Sequence, residues 1–240
     1  MGMRAAVIAN AADADTGLVG RALRTRGHAM VEFLREHHDT WPGLEGIDMV
    51  VAMGSGWSVY WDHVAAPVTA EQDLLRRALA ADLPVLGICF GAQQLSTVLG
   101  GVVTRAQSPE IGWHPVTPVP ETAHLAPSVL FEGPWMQWHY DRFSVPPGAT
   151  VIAQSPVGPQ AIVCGRALGV QFHPEATESI VRTWSSDEGE DELAAVGMTR
   201  SGVLAETGRQ VTGAEIRCDA LIEWFCADVA QGHMGTRLTP

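Results

Sequence analysis

A chain of 240 residues with 46% hydrophobic and 18% charged positions holds enough apolar content for one ordinary core, which excludes a disordered segment. Its net charge of −12 offers no basic face to a phosphate backbone, so nucleic acid is not an expected partner. All fifteen basic residues are arginines, which removes a phosphate-loop lysine, a pyridoxal Schiff base and a lysine general base.

Taken in chain order, residues 1–10 (MGMRAAVIAN) lack the apolar run of a signal peptide, and 4–10 read as a strand. A helix is expected over 17–26, then strands at 30–34 and 48–53, the latter running into Gly54-Ser55-Gly56. Leu74, Leu75, Ala78 and Leu79 recur at helical spacing, which predicts a helix over 69–81 with Thr69 as its N-cap. Residues 84–88 form a short apolar strand, and 92–99 return to helical periodicity before Gly100-Gly101. Between 102 and 172 the pieces VVT, HPVTPV, SVLF, TVIA and AIVCG, separated by proline and glycine turns, predict an antiparallel extension and the last sheet strands. From Glu178 onward the pattern is helical, with an acidic helix start at 187–192 and an amphipathic stretch at 214–229. This alternation predicts an α/β fold: one domain over 1–230, a mostly parallel central sheet flanked by helices, a small antiparallel extension, and a flexible tail at 231–240.

The segment Gly87-Ile88-Cys89-Phe90-Gly91 carries the chemistry. A strand meets a helix at a cysteine with glycines two positions either side, the pattern of a nucleophile elbow with sulfur in place of oxygen. Glycines are needed because the turn is too tight for neighbouring β-carbons, and the helix N-terminus favours thiolate over thiol. The alternative is a buried, inert thiol, the role expected of Cys164, Cys218 and Cys226. These four form no C-x-x-C pair and the chain needs no disulfide staples, so a reducing cytoplasm is the expected setting. No stretch approaches the roughly 18 apolar residues of a membrane span.

A thiolate nucleophile in acyl transfer needs an oriented imidazole. Of nine histidines, His173 stands apart, because it ends the apolar run 168–172 and precedes Pro174-Glu175. Glu175 can then hold one ring nitrogen while the other faces sulfur; a strand-end histidine beside a solvated glutamate is the alternative. No histidine or cysteine pair has tight metal-ligand spacing, so neither a metal nor another cofactor is expected.

With these residues in place the chain resembles a class I, triad-type glutamine amidotransferase domain, in particular proteins similar to the glutaminase domain of GMP synthase. The likeness spans roughly residues 48–185 and rests on MGSGWSVYW, GICFGAQ, PEIGWHPV, WHYDRF and QFHPE. It implies a flavodoxin-like fold in which Cys89 attacks the side-chain amide of glutamine, with His173 and Glu175 completing the triad and ammonia passing to a separate synthetase. It also implies oxyanion donors at Ser55 and Phe90, and glutamine contacts at Gly54, Gly56, Gln93, Tyr140 and Asp141. Two departures stand out. Ser55 replaces a glycine of the usual Gly-Gly-Pro loop, with a steric penalty if that position needs positive φ. Tyr140 stands where a small glycine is usual, and with Trp57, Tyr60, Trp61, Trp113, Trp135 and Trp138 it makes an aromatic neighbourhood. Core packing is the simpler reading of the tryptophans. Tyr140 would either narrow the glutamine pocket or contact a larger substrate; aromatic walls that accept a ring-bearing γ-substituent would suit a γ-glutamyl hydrolase using the same triad, and a non-catalytic binding homologue is the third reading.

Overall fold

The computed structural model describes residues 2–233; most of the tail expected at 231–240 lies outside them. Strands β1 (Met3–Ala9), β2 (His28–Leu34), β3 (Met49–Ala52) and β4 (Val85–Ile88) alternate with helices α1 (Gly17–Thr25), α2 (Ala65–Ala80) and α3 (Phe90–Val98). The central part supplies β5 (Val103–Pro115), β6 (Thr117–Pro118), β7 (Pro134–Phe143), β8 (Thr150–Gln154), β9 (Pro159–Cys164) and β10 (Ala167–Val170). Three helices close the described chain: α4 (Glu178–Trp184), α5 (Glu188–Ala195) and α6 (Arg200–Trp224), the last running into a wider π turn.

Eight strands form one sheet in the order β2-β1-β3-β4-β10-β9-β8-β6. The first five are mutually parallel and the last three add antiparallel. Strand periodicity decides which layer each residue joins. Ala5, Val7 and Ala9 pack towards α1 and α6, whereas Ala6 and Ile8 pack towards Leu74, Leu75 and Ala78 of α2 and Leu95 of α3. β5 and β7 make a separate antiparallel ribbon. This is the expected α/β architecture, and the carboxyl ends of β1, β3, β4 and β10 all feed the candidate site.

Three local expectations are corrected. α2 begins at Ala65, so Thr69 lies inside the helix; Pro67 falls in the first turn, where no intrahelical N–H bond is lost. The SVLF run is a 3₁₀ turn at Ser128–Phe131, held by the Trp135 indole donating to the Leu130 carbonyl at 2.9 Å. The amphipathic stretch at 214–229 is the second half of the 25-residue α6, which starts at an N-cap where Thr199 accepts from Gly202 N–H. The acidic run does begin a helix, α5, but Glu192 is not merely solvated: it accepts from the Trp138 indole at 2.6 Å.

Candidate active site

Cys89 sits in the one-residue junction between β4 and α3, with φ 50° and ψ −106°. A positive φ at a non-glycine residue is strained, and such strain persists only where surrounding contacts over-determine it. Those contacts are visible. The Cys89 amide donates to Val170 O at 2.7 Å, and its carbonyl accepts from Gln93 N–H at 3.0 Å. A β-carbon on Gly91 would lie 2.0 Å from the Ala52 carbonyl oxygen, and one on Gly87 would lie 2.7 Å from that of Gly91. The sulfur lies 4.0 Å from Trp138 O, and the Gln171 side-chain amide donates to it at 3.6 Å. Burial pushes the Cys218 and Cys226 thiols up in pKa, which keeps both as thiols in the core.

His173 follows β10 by three residues; its amide donates to Met136 O at 2.8 Å, which pins the segment to β7. Its Nδ1 is 2.7 Å from Glu175 Oε1, and both side chains are buried. Nε2 has no oxygen or nitrogen partner, so it is left for the sulfur. Burial alone would lower the imidazole pKa, but the charges of Glu175 and Cys89 outweigh it and hold His173 well above 6.5. Trp184 meets the ring edge-on at 4.6 Å between centroids. The N-terminus of α1 closes the other side, with Leu18 N–H donating to the Glu175 carbonyl at 3.0 Å. Gly17, at φ +46°, allows that approach, since a β-carbon there would lie 1.9 Å from the same oxygen.

The loop after β3 brings Gly54 against both Cys89 and His173; a β-carbon on it would meet His173 Cε1 at 2.9 Å and Cys89 Cβ at 3.7 Å. Ser55 does not need positive φ, so the anticipated penalty is absent; the strained residue is the cysteine instead. Its hydroxyl accepts from Trp57 N–H at 3.1 Å. Gly56 is exposed with open space around it. Phe90 opens α3 with its ring buried against Val64 and Val68.

Gln93 and Asp141 are buried and meet, Gln93 Nε2 reaching Asp141 O at 3.5 Å. The Asp141 carboxylate accepts from the Ser58 hydroxyl on one oxygen and from Tyr60 OH at 2.7 Å on the other. The Tyr140 ring lies under the Arg105 guanidinium at 4.4 Å. Trp135 is buried and stacks on Phe172 at 4.6 Å, while Trp113 and Trp138 pack partly into the core, as the simpler reading expects. Only Tyr60 and Trp61 of the aromatic loop are notably exposed, at 48% and 37%.

Sequence reasoning missed several residues here. Asp13 follows β1, and its carboxyl is raised by burial against the opposing charges of His173 and Arg35 and a hydrogen bond from Trp184. Gln171 and Ser58 were hidden within motifs read for other residues, and Tyr60 was read only as part of the aromatic loop, not as a donor to Asp141. For Asp13 the usable signal is position, since ligand and catalytic groups gather beyond the carboxyl ends of parallel strands. Among the described residues no group of three or more histidine, cysteine or carboxylate side chains could hold a metal, and no helix is long and apolar enough to cross a membrane.

Comparison with known proteins gives the family of the chain. The chain is 38% identical over 219 residues to a GMP synthase (glutamine-hydrolysing) of Aeropyrum pernix, an alignment covering 83% of the chain and 39% of that protein. It is 33% identical over 180 residues to the GMP synthase of Helicobacter pylori, covering 68% and 31% respectively. The chain thus spans less than two-fifths of the length of these relatives. A glutamine amidotransferase from Thermotoga maritima superimposes with a TM-score of 0.82 at 25% identity, over 95% of this chain and all of that one. The profile of the glutamine amidotransferase class-I family matches residues 53–183, and the chain belongs to that family.

Proposed function

We propose that this protein hydrolyses the side-chain amide of glutamine through a γ-glutamyl thioester on Cys89. The observation that carries the reading is the His173–Glu175 pair at 2.7 Å, with its free Nε2 beside a strained cysteine at a helix N-terminus. The Cys89 thiolate attacks the amide carbon, and the carbonyl electrons move onto oxygen. The backbone N–H groups of Ser55 and Phe90 hold that oxyanion; one such donor is worth about 10²–10³ in rate. As the C–N bond breaks, the His173 imidazolium gives its proton to the leaving nitrogen, and ammonia departs. His173 then takes a proton from water, which attacks the thioester and releases glutamate. Gly54, Gly56, Gln93, Tyr140 and Asp141 would bind the amino-acid part of the substrate.

The ammonia acceptor would lie outside these 240 residues, in a separate synthetase. A second reading, release of a larger amine from a γ-glutamyl compound, draws on the exposed Tyr60 and Trp61 near Asp141. A non-catalytic role fits poorly with a buried imidazole that is bonded to Glu175 on one nitrogen and left without a hydrogen-bond partner on the other, next to a cysteine at a strained elbow. The test compares ammonia release from glutamine with aniline release from a γ-glutamyl anilide, for wild type and Cys89→Ala. Ammonia release lost by at least about 10³-fold in the variant supports the proposal. Turnover of the anilide alone favours the second reading, and substrate turnover surviving in Cys89→Ala rejects both.

A further inference from the structure

Arg35 follows β2, far in sequence from the triad, yet it is entirely buried and all five of its N–H donors are used. Nε donates to Glu71 Oε2 at 2.7 Å and Nη2 to Glu71 Oε1 at 3.1 Å, a two-pronged pair with no solvent on either side. The remaining donors go to Asn10 Oδ1 at 2.9 Å, Gly54 O at 3.0 Å and Met53 O at 2.9 Å. The face of the guanidinium lies 4.8 Å from the centre of the Phe90 ring. One side chain therefore touches both halves of the oxyanion site proposed above.

We infer that Arg35 is a positioning residue that orients the Ser55 oxyanion donor by gripping the Gly54 carbonyl on the opposite edge of the same peptide plane, with the Met53 carbonyl held alongside. In a trans peptide the C=O and the following N–H point in opposite directions. The Gly54 carbonyl faces Arg35, so the Ser55 N–H faces away from it; the Met53 carbonyl does the same for the Gly54 N–H. A loop reading Gly-Ser-Gly has low resistance to rotation of those peptides. A flipped Gly54–Ser55 peptide would turn a carbonyl oxygen towards the developing negative charge, which reverses the sign of its contribution. Because Glu71 neutralises the guanidinium, the effect is one of orientation rather than of net charge. The inference rests on the proposed acyl-transfer reading and extends it to a residue that never touches substrate.

Two variants test it. Arg35→Lys keeps a cation for Glu71 but cannot span both carbonyls. Arg35→Met/Glu71→Met removes both buried charges together and so avoids stranding one of them. Each is assayed for kcat and KM on glutamine or γ-glutamyl anilide, whichever the wild type turns over, and for alkylation of Cys89 by iodoacetamide across pH. Alkylation displaces iodide at a saturated carbon and forms no oxyanion, so it reports thiolate alone. The expected result is a fall in kcat of about 10²–10³-fold with KM and the alkylation profile unchanged. An unaltered kcat, or alkylation falling in parallel with it, overturns the inference. A wild type that turns over neither substrate contradicts the acyl-transfer reading itself, a distinct result.

Discussion

The backbone of Cys89 is held at φ 50°, a region that a β-carbon disfavours by about 1–3 kcal/mol, while glycine enters it freely. This inverts the usual ranking of small substitutions. Cys89→Gly is expected to be more stable than Cys89→Ala by about 1 kcal/mol, although glycine ordinarily weakens a structure relative to alanine. Urea unfolding of the two variants checks it, and a more stable alanine variant would mean that the elbow is not strained. At the neighbouring triad position, Glu175 raises the His173 pKa against the pull of burial. Glu175→Gln removes that charge, so the imidazole should lose its proton at lower pH. The titration of the imidazole signal in NMR should shift to lower pH; an unmoved titration would show that Glu175 does not govern the ring.

At the scale of elements, the site depends on two close approaches that only glycine allows. α3 packs so tightly under β3 that Gly91 has no room for a methyl group against Ala52 O. Alanine favours a helix over glycine by about 1 kcal/mol, yet overpacking costs about 1–3 kcal/mol or more, and here the obstacle is backbone. Gly91→Ala should therefore lower Tm, measured by thermal unfolding, and depress turnover through a displaced Cys89; a raised Tm would refute the packing argument. Gly17→Ala should act differently. It pushes α1 off the Glu175 carbonyl, reducing kcat while leaving the elbow and thiol alkylation in place. The glycine spacing around Cys89 was readable in sequence because a local turn dictates it. Gly17 was not, because its partner lies more than 150 positions away. The SVLF segment failed for a different reason: four apolar residues carry no periodicity that separates a strand from a 3₁₀ turn, and the Trp135 indole that holds the turn lies only five positions after Leu130.

For the molecule as a whole, the parallel sheet and its first four strands were legible, because apolar strands alternating with amphipathic helices point to that architecture; the spatial order β2-β1-β3-β4 came only with the structure. The long-range polar contacts were not. Arg35 with Glu71, and Asp141 with Ser58 and Tyr60, join segments whose proximity exists only once the sheet is assembled. The pH dependence of stability is also a property of the assembled fold. The raised His173 pKa means that protonation stabilises the native state: the contribution is complete below about 6.5 and fades as pH rises through the elevated native value. The stability gap between wild type and Glu175→Gln should accordingly narrow across that alkaline range in urea titrations. A gap that widened would reverse the assigned sign. The proposed function turns on one chemical event, the transfer of a γ-glutamyl group onto the Cys89 sulfur. Acid-quenched samples taken during turnover of glutamine, digested and weighed by mass spectrometry, test it most directly. A γ-glutamyl mass on the peptide containing Cys89, absent from Cys89→Ala and removed by hydroxylamine, is the predicted result; turnover with that peptide unmodified and the acyl group found on another residue would contradict it.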